Sequence, residues 1–113
     1  MELEKLPPAI RNYVRASNKP DPAAFVKCFS DEAIVRDEGK TYVGKKEIKA
    51  WSDKYHFGAN VTLEPVEAKE ENGEVAVIFK VDGTFDKTGL PDPLLLTAHV
   101  AIEQDKIIRL HIF

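Results

Sequence analysis

Apolar residues recur along this chain first at helical spacing and then in alternation, and the change of period divides it in two. Leu6, Ile10, Val14 and Ser17, with Tyr13 beside them, fall three and four apart, as one face of a helix requires, and Pro7-Pro8 suits the first turn. Pro20 predicts an end near Asn18-Lys19, because proline biases the residue before it away from helical geometry. Asp21-Pro22 restarts a helix, with Asp as N-cap and Pro at the first helical position. Phe25, Cys28 and Phe29 form its stripe, and it stops at Ser30-Asp31. A third helix is predicted after Gly44, with Ile48, Trp51 and Tyr55 on one stripe and Gly58 closing it.

From residue 60 onward the period is two. Residues 60–70 form one run, in which Pro65 suggests an edge strand or a bulge. Asn72-Gly73 is a hairpin signal. Val75, Val77, Phe79, Val81, Gly83 and Phe85 then share a face, and a Gly/Pro loop occupies 86–93. Leu94, Leu96, Ala98, Val100 and Ile102 point inward on the next strand, with Thr97, His99 and Glu103 outward. Gln104-Asp105 turns into a last strand over 107–113. Helices followed by an antiparallel meander give an α+β domain, read as one unit over 1–113. Three N-terminal helices would pack on the concave face of a strongly curved, antiparallel (mixed) sheet, making a cone with an internal pocket.

One residue breaks the alternation. In Ala33-Ile34-Val35-Arg36-Asp37, Ala33, Val35 and Asp37 share a face, and Arg36 with Glu38 marks the other as the wetter one. Asp37 therefore ends a face that ought to be apolar. Its carboxylate either reaches water beside the turn at Glu38-Gly39 or enters a pocket, and the second case makes it a candidate general base.

Composition narrows the function classes. With 113 residues and a net charge of −3, and with Lys and Arg scattered among Asp and Glu, the chain has no basic face for nucleic acid. No apolar run approaches the ~20 residues of a membrane span, and the opening stretch has no apolar signal region. The single cysteine excludes an internal disulfide and fits a reducing, cytoplasmic setting. His56, His99 and His111 have no metal-ligand spacing, so no metal site is expected. Cys28 reads as a buried thiol.

Five segments together carry a resemblance: Tyr13-Val14-Arg15-Ala16; Asp21-Pro22-Ala23-Ala24-Phe25; Phe29-Ser30-Asp31-Glu32-Ala33 running into Asp37; Tyr42-Val43-Gly44-Lys45-Lys46-Glu47-Ile48; and Lys106-Ile107-Ile108-Arg109-Leu110. In order and spacing the chain resembles the nuclear transport factor 2-like superfamily, in particular the SnoaL-like polyketide cyclases and the ketosteroid isomerases. In those isomerases a first-helix Tyr donates to the developing oxyanion and an Asp ending the first strand moves the proton; Tyr13 and Asp37 match the two positions. The isomerases' second, protonated Asp corresponds here to Ala98, which cannot donate.

The resemblance implies an apolar pocket for a small hydrophobic ligand; in this chain its expected walls are Phe29, Val35, Trp51, Tyr55, Phe79, Leu96 and Ala98. It implies a cofactor-free isomerase, cyclase or dehydratase with Asp37 as base and Tyr13 as donor, against which stands a non-catalytic ligand-binding or homodimerisation domain. It also implies a homodimer through the convex sheet face, where Leu95, Thr97, Ala101, Ile107 and Phe113 are apolar enough to fit.

Overall fold

The first helix ends where proline requires. In the computed structural model, which describes residues 1–113, helix α1 (Pro8–Asn18) buries Ala9, Ile10, Tyr13, Ala16 and Ser17 on one face. The carboxylate of Asp21 accepts from the Ala24 amide at 3.1 Å and starts α2 (Pro22–Lys27). This helix is shorter than its stripe predicts. The Cys28 carbonyl accepts from the Ile107 amide at 2.8 Å, so sheet pairing claims the backbone there, and Phe29 opens strand β1 (Phe29–Asp37).

Glu38 and Gly39 both take positive φ, 51° and 77°, as the tight turn into β2 (Lys40–Val43) needs. After Gly44 the helix α3 (Gly44–Trp51) passes into a π-helical turn, Ser52–Phe57. The meander follows as β3 (Thr62–Glu71), β4 (Glu74–Asp82), β5 (Leu94–Glu103) and β6 (Lys106–Ile112). Strand β4 stops before its alternation does, because beyond Asp82 the Thr84 amide turns to the Ala59 carbonyl at 2.7 Å.

The six strands lie in the order β2-β1-β6-β5-β4-β3. Only the β1–β6 pair is parallel, which makes this a mixed sheet. Register shifts between Phe29 and Ile34, between Pro65 and Glu67, and between Ala101 and Ile102 bend it. Its inward residues, including Val35, Val77, Val100 and Leu110, join Ile10, Phe25 and Ile48 of the helices in one core.

The last of those shifts corrects the expected outer face. Ala101 pairs with Arg109 but Ile102 with Ile107, so Ile108 is an extra residue in β6. The extra residue turns Ile107 inward, where it is fully buried, rather than onto the convex face. Leu95 and Phe113 are exposed outside, and His99 faces His111 across the strand pair with the Phe113 ring 5.1 Å and 3.9 Å from the two imidazoles. No helix is long and apolar enough to cross a membrane.

Candidate functional site

The helices leave part of the inner sheet face uncovered, and a cavity of about 510 Å³ lies there. Its walls include Val61, Leu63, Phe79, Val81, Leu96 and Ile112, and its polar groups are few. Glu38, Lys54, Tyr55 and the 83–93 loop form its rim.

Strand alternation delivers Asp37 to this space. The residue is half-buried, and its Oδ2 accepts from the indole Nε1 of Trp51 at 3.1 Å. The other carboxylate oxygen has no partner in the chain. Tyr13 reaches the same cavity from the middle of α1, its ring held by Phe25, Phe29, His56 and Phe79 at centroid distances of 5.1 to 6.3 Å. Its hydroxyl has no hydrogen-bond partner in the chain. Burial, then the negative charge of Asp37, pushes its pKa well above the ordinary tyrosine value, so it stays a donor.

Of the lining expected from sequence, Trp51, Tyr55, Phe79, Leu96 and Ala98 border the cavity. Phe29 and Val35 do not. Both are fully buried, Phe29 against Phe25 and Tyr13, and lie too deep in the core to offer surface to a ligand. Tyr55 sits at the exposed rim rather than on the buried stripe of α3. The π turn is the reason: its wider winding puts the fifth residue after Trp51, not the fourth, on the buried side. Gly58 N donates to Asp53 O at 2.9 Å, five residues back, and a Cβ on Gly58 would lie 2.4 Å from the Lys54 carbonyl oxygen.

His56 therefore takes the inner place, only 5 % exposed, and sequence reasoning missed it. Its Nε2 lies 2.8 Å from Ser17 Oγ, and Ser17 Oγ donates to the Tyr13 carbonyl at 2.8 Å. Burial lowers its pKa to about 4, so the ring is neutral. Asn18 was missed too. Its side chain accepts from Leu63 N at 2.7 Å and donates to Leu63 O at 2.8 Å, fixing a cavity wall to the end of α1. Cys28 stands apart from the cavity, with its thiol donating to the Ala24 carbonyl at 3.3 Å. No three His, Cys, Asp or Glu side chains cluster as metal ligands.

Residues 10–110 match the family model described as SnoaL-like domain. The chain belongs to the SnoaL-like domain family. Among solved structures it is similar to a Sinorhizobium meliloti protein proposed to be a polyketide cyclase, with 28 % identity, a TM-score of 0.87 and complete coverage of both chains. It is also similar in fold to a nuclear transport factor 2-like protein of unknown function from Cytophaga hutchinsonii, at 13 % identity and TM-score 0.75 over 93 % of this chain and 85 % of that one. A Mycobacterium tuberculosis protein crystallised with estradiol-17β-hemisuccinate shares the fold at 14 % identity and TM-score 0.74, over 93 % and 89 %. No curated protein matches the chain. For this SnoaL-like domain, Ala98 is a further constraint, since it borders the cavity and brings no donor to it.

Proposed function

We propose that the cavity binds a small hydrophobic carbonyl compound and that Asp37 abstracts a proton from carbon beside the carbonyl. The unpartnered Asp37 oxygen at the edge of an apolar cavity carries this reading. The proton passes from the C–H bond to the carboxylate, and the electron pair moves onto the carbonyl oxygen. The Tyr13 hydroxyl, free of partners and held protonated, donates to that oxygen as its charge grows. The proton then leaves Asp37 for another carbon in an isomerisation, for the alkoxide formed when the enolate attacks a second carbonyl in a cyclisation, or for the departing β-hydroxyl, which leaves as water, in a dehydration. None of these steps calls on a cofactor. The volume supports the reading, since ligand sites run from about 300 Å³ upward, and so does the steroid ester bound by the mycobacterial neighbour.

Ala98 favours a second reading, a ligand-binding domain without turnover, because the oxyanion site then rests on Tyr13 alone. Under either reading, two copies would pair through the outer face bearing Leu95, Thr97 and Phe113; size-exclusion elution as a monomer at micromolar concentration would contradict that pairing.

The test is thermal unfolding of the wild type and Asp37→Asn with steroids, polyketides, terpenoids and aromatic acids, followed by turnover assays on whichever compounds shift the wild type. A ligand at 100 times its Kd stabilises by about 2.7 kcal/mol, several degrees for a domain this size. Asn keeps an acceptor for Trp51, so the variant should fold and lose turnover by about 10² or more. Unchanged turnover in Asp37→Asn rules out the base; ligand shifts without any turnover favour the second reading.

A further inference from the structure

The Ser17 hydroxyl has one proton, and the Tyr13 carbonyl, which can only accept, takes it at 2.8 Å. The contact of 2.8 Å between Ser17 Oγ and His56 Nε2 must then use a proton from the ring. That places the imidazole hydrogen on Nε2 and leaves Nδ1 with a lone pair. No side-chain nitrogen or oxygen cut off from accessible space lacks a partner in this protein. Nδ1 has none in the chain, so it keeps some accessible surface, and His56 is one of the residues that line the cavity. The ring cannot easily turn away. Phe25 packs against it at 4.8 Å and Phe57 at 5.3 Å, with Tyr13 and Trp51 at 6.1 and 6.0 Å.

We propose that Ser17 holds His56 as the neutral Nε2–H tautomer, that its Nδ1 accepts a hydrogen bond from the ligand, and that the cavity accordingly selects hydrophobic molecules with a hydroxyl or N–H at the end nearest Tyr13. This rests on the reading of the cavity as a ligand site and adds to it a specificity-determining residue. Burial, which keeps the ring uncharged at neutral pH, works in the same direction. Three of the polar groups lining the cavity then divide by role: Tyr13 donates, Asp37 takes a proton, and His56 accepts a hydrogen bond. A ligand lacking a donor leaves a buried lone pair unpaired, a loss of about tenfold in affinity.

The experiment has two arms. Side-chain ¹H–¹⁵N NMR of the wild type at pH 7 reads the tautomer without any ligand; the Nε2–H form is expected, and Ser17→Ala should mix the two forms. An Nδ1–H or doubly protonated ring in the wild type overturns the proposal. In the second arm, estrone and estrone 3-methyl ether are titrated into wild type and His56→Phe. Wild type should prefer estrone by about tenfold, and His56→Phe should bind the two alike. Equal binding of both by the wild type overturns the acceptor role and leaves the cavity reading standing. If neither steroid binds and the compounds that do shift the unfolding temperature carry no hydroxyl or N–H, the ligand class assigned here falls and the proposed function survives.

Discussion

Trp51 and Asp37 lie fourteen residues apart, on a helix and at a strand end, and the indole of one donates to the carboxylate of the other across 3.1 Å. The bond fixes which Asp37 oxygen faces the helix and which is free. A hydrogen bond to a charged acceptor contributes about 1.5–3 kcal/mol. A double-mutant cycle of Trp51→Phe and Asp37→Ala should therefore show a coupling of about 1–2 kcal/mol in urea unfolding. Additive losses would mean that the contact adds nothing to stability beyond packing.

Tyr13→Phe separates ring from hydroxyl. The ring packs against four aromatic neighbours, while the hydroxyl bonds to nothing in the chain. Stability should change by less than about 1 kcal/mol. Turnover of a carbonyl substrate should fall by about 10²–10³, the usual cost of removing one oxyanion donor. A large loss of stability with turnover intact would place the hydroxyl in the fold and not in the chemistry.

How far the sequence reaches is clear from these residues. Asp37 is legible because it ends an alternating strand on the face that ought to be apolar; the period places Tyr13 only beside the first helix's stripe, and its candidacy comes from the resemblance to the isomerases. The Asp21 cap, the two positive-φ turns at Glu38-Gly39 and Asn72-Gly73, and the bulge near Pro65 were legible from turn and strand chemistry. His56, Tyr55 and Ile107 were not. A π turn and a one-residue bulge each shift the period by a single residue, and the hydrogen bonds that favour them form only in the folded chain. Phe29 and Val35 fall on buried faces by their period, and period shows which face is buried but not how deep.

Acid should destabilise this protein through His56. Its pKa is about 4 when folded and near 6.5 when unfolded, so between those values the unfolded chain binds a proton that the folded one refuses. The stabilisation is complete above about pH 6.5 and is lost as pH falls toward 4, about 3 kcal/mol in all. Urea unfolding at pH 7, 6 and 5 should show wild type losing more stability than His56→Gln, by up to about 1.4 kcal/mol per pH unit. Parallel slopes would show that the ring ionises as readily folded as unfolded. At the alkaline end Tyr13 acts with the opposite sign, its contribution present below pH 10.0 and lost as pH rises further.

Asn18 tests how the cavity wall is anchored. Strand β3 is an edge of the sheet, so alternate amides and carbonyls along it have no strand to pair with. Asn18 takes one such residue, Leu63, and makes both bonds that a neighbouring strand would have made, at 2.7 and 2.8 Å. Leu63 lines the cavity and precedes the Pro65 bulge, so the clamp holds the wall where the strand is least regular. Asn18→Ala removes two hydrogen bonds and leaves two part-buried backbone groups unpaired, an expected loss of about 2–3 kcal/mol. Asn18→Asp keeps the acceptor for Leu63 N–H but sets a carboxylate against the Leu63 carbonyl. Its carboxyl pKa should rise on folding, since only the protonated form can donate, so its stability should recover as pH falls below the value for Asp. Hydrogen exchange gives the local readout: the Leu63 amide should lose protection in Asn18→Ala more than the amides of β4 do. If Leu63 stays protected and stability is unchanged, β3 is held by its pairing with β4 alone.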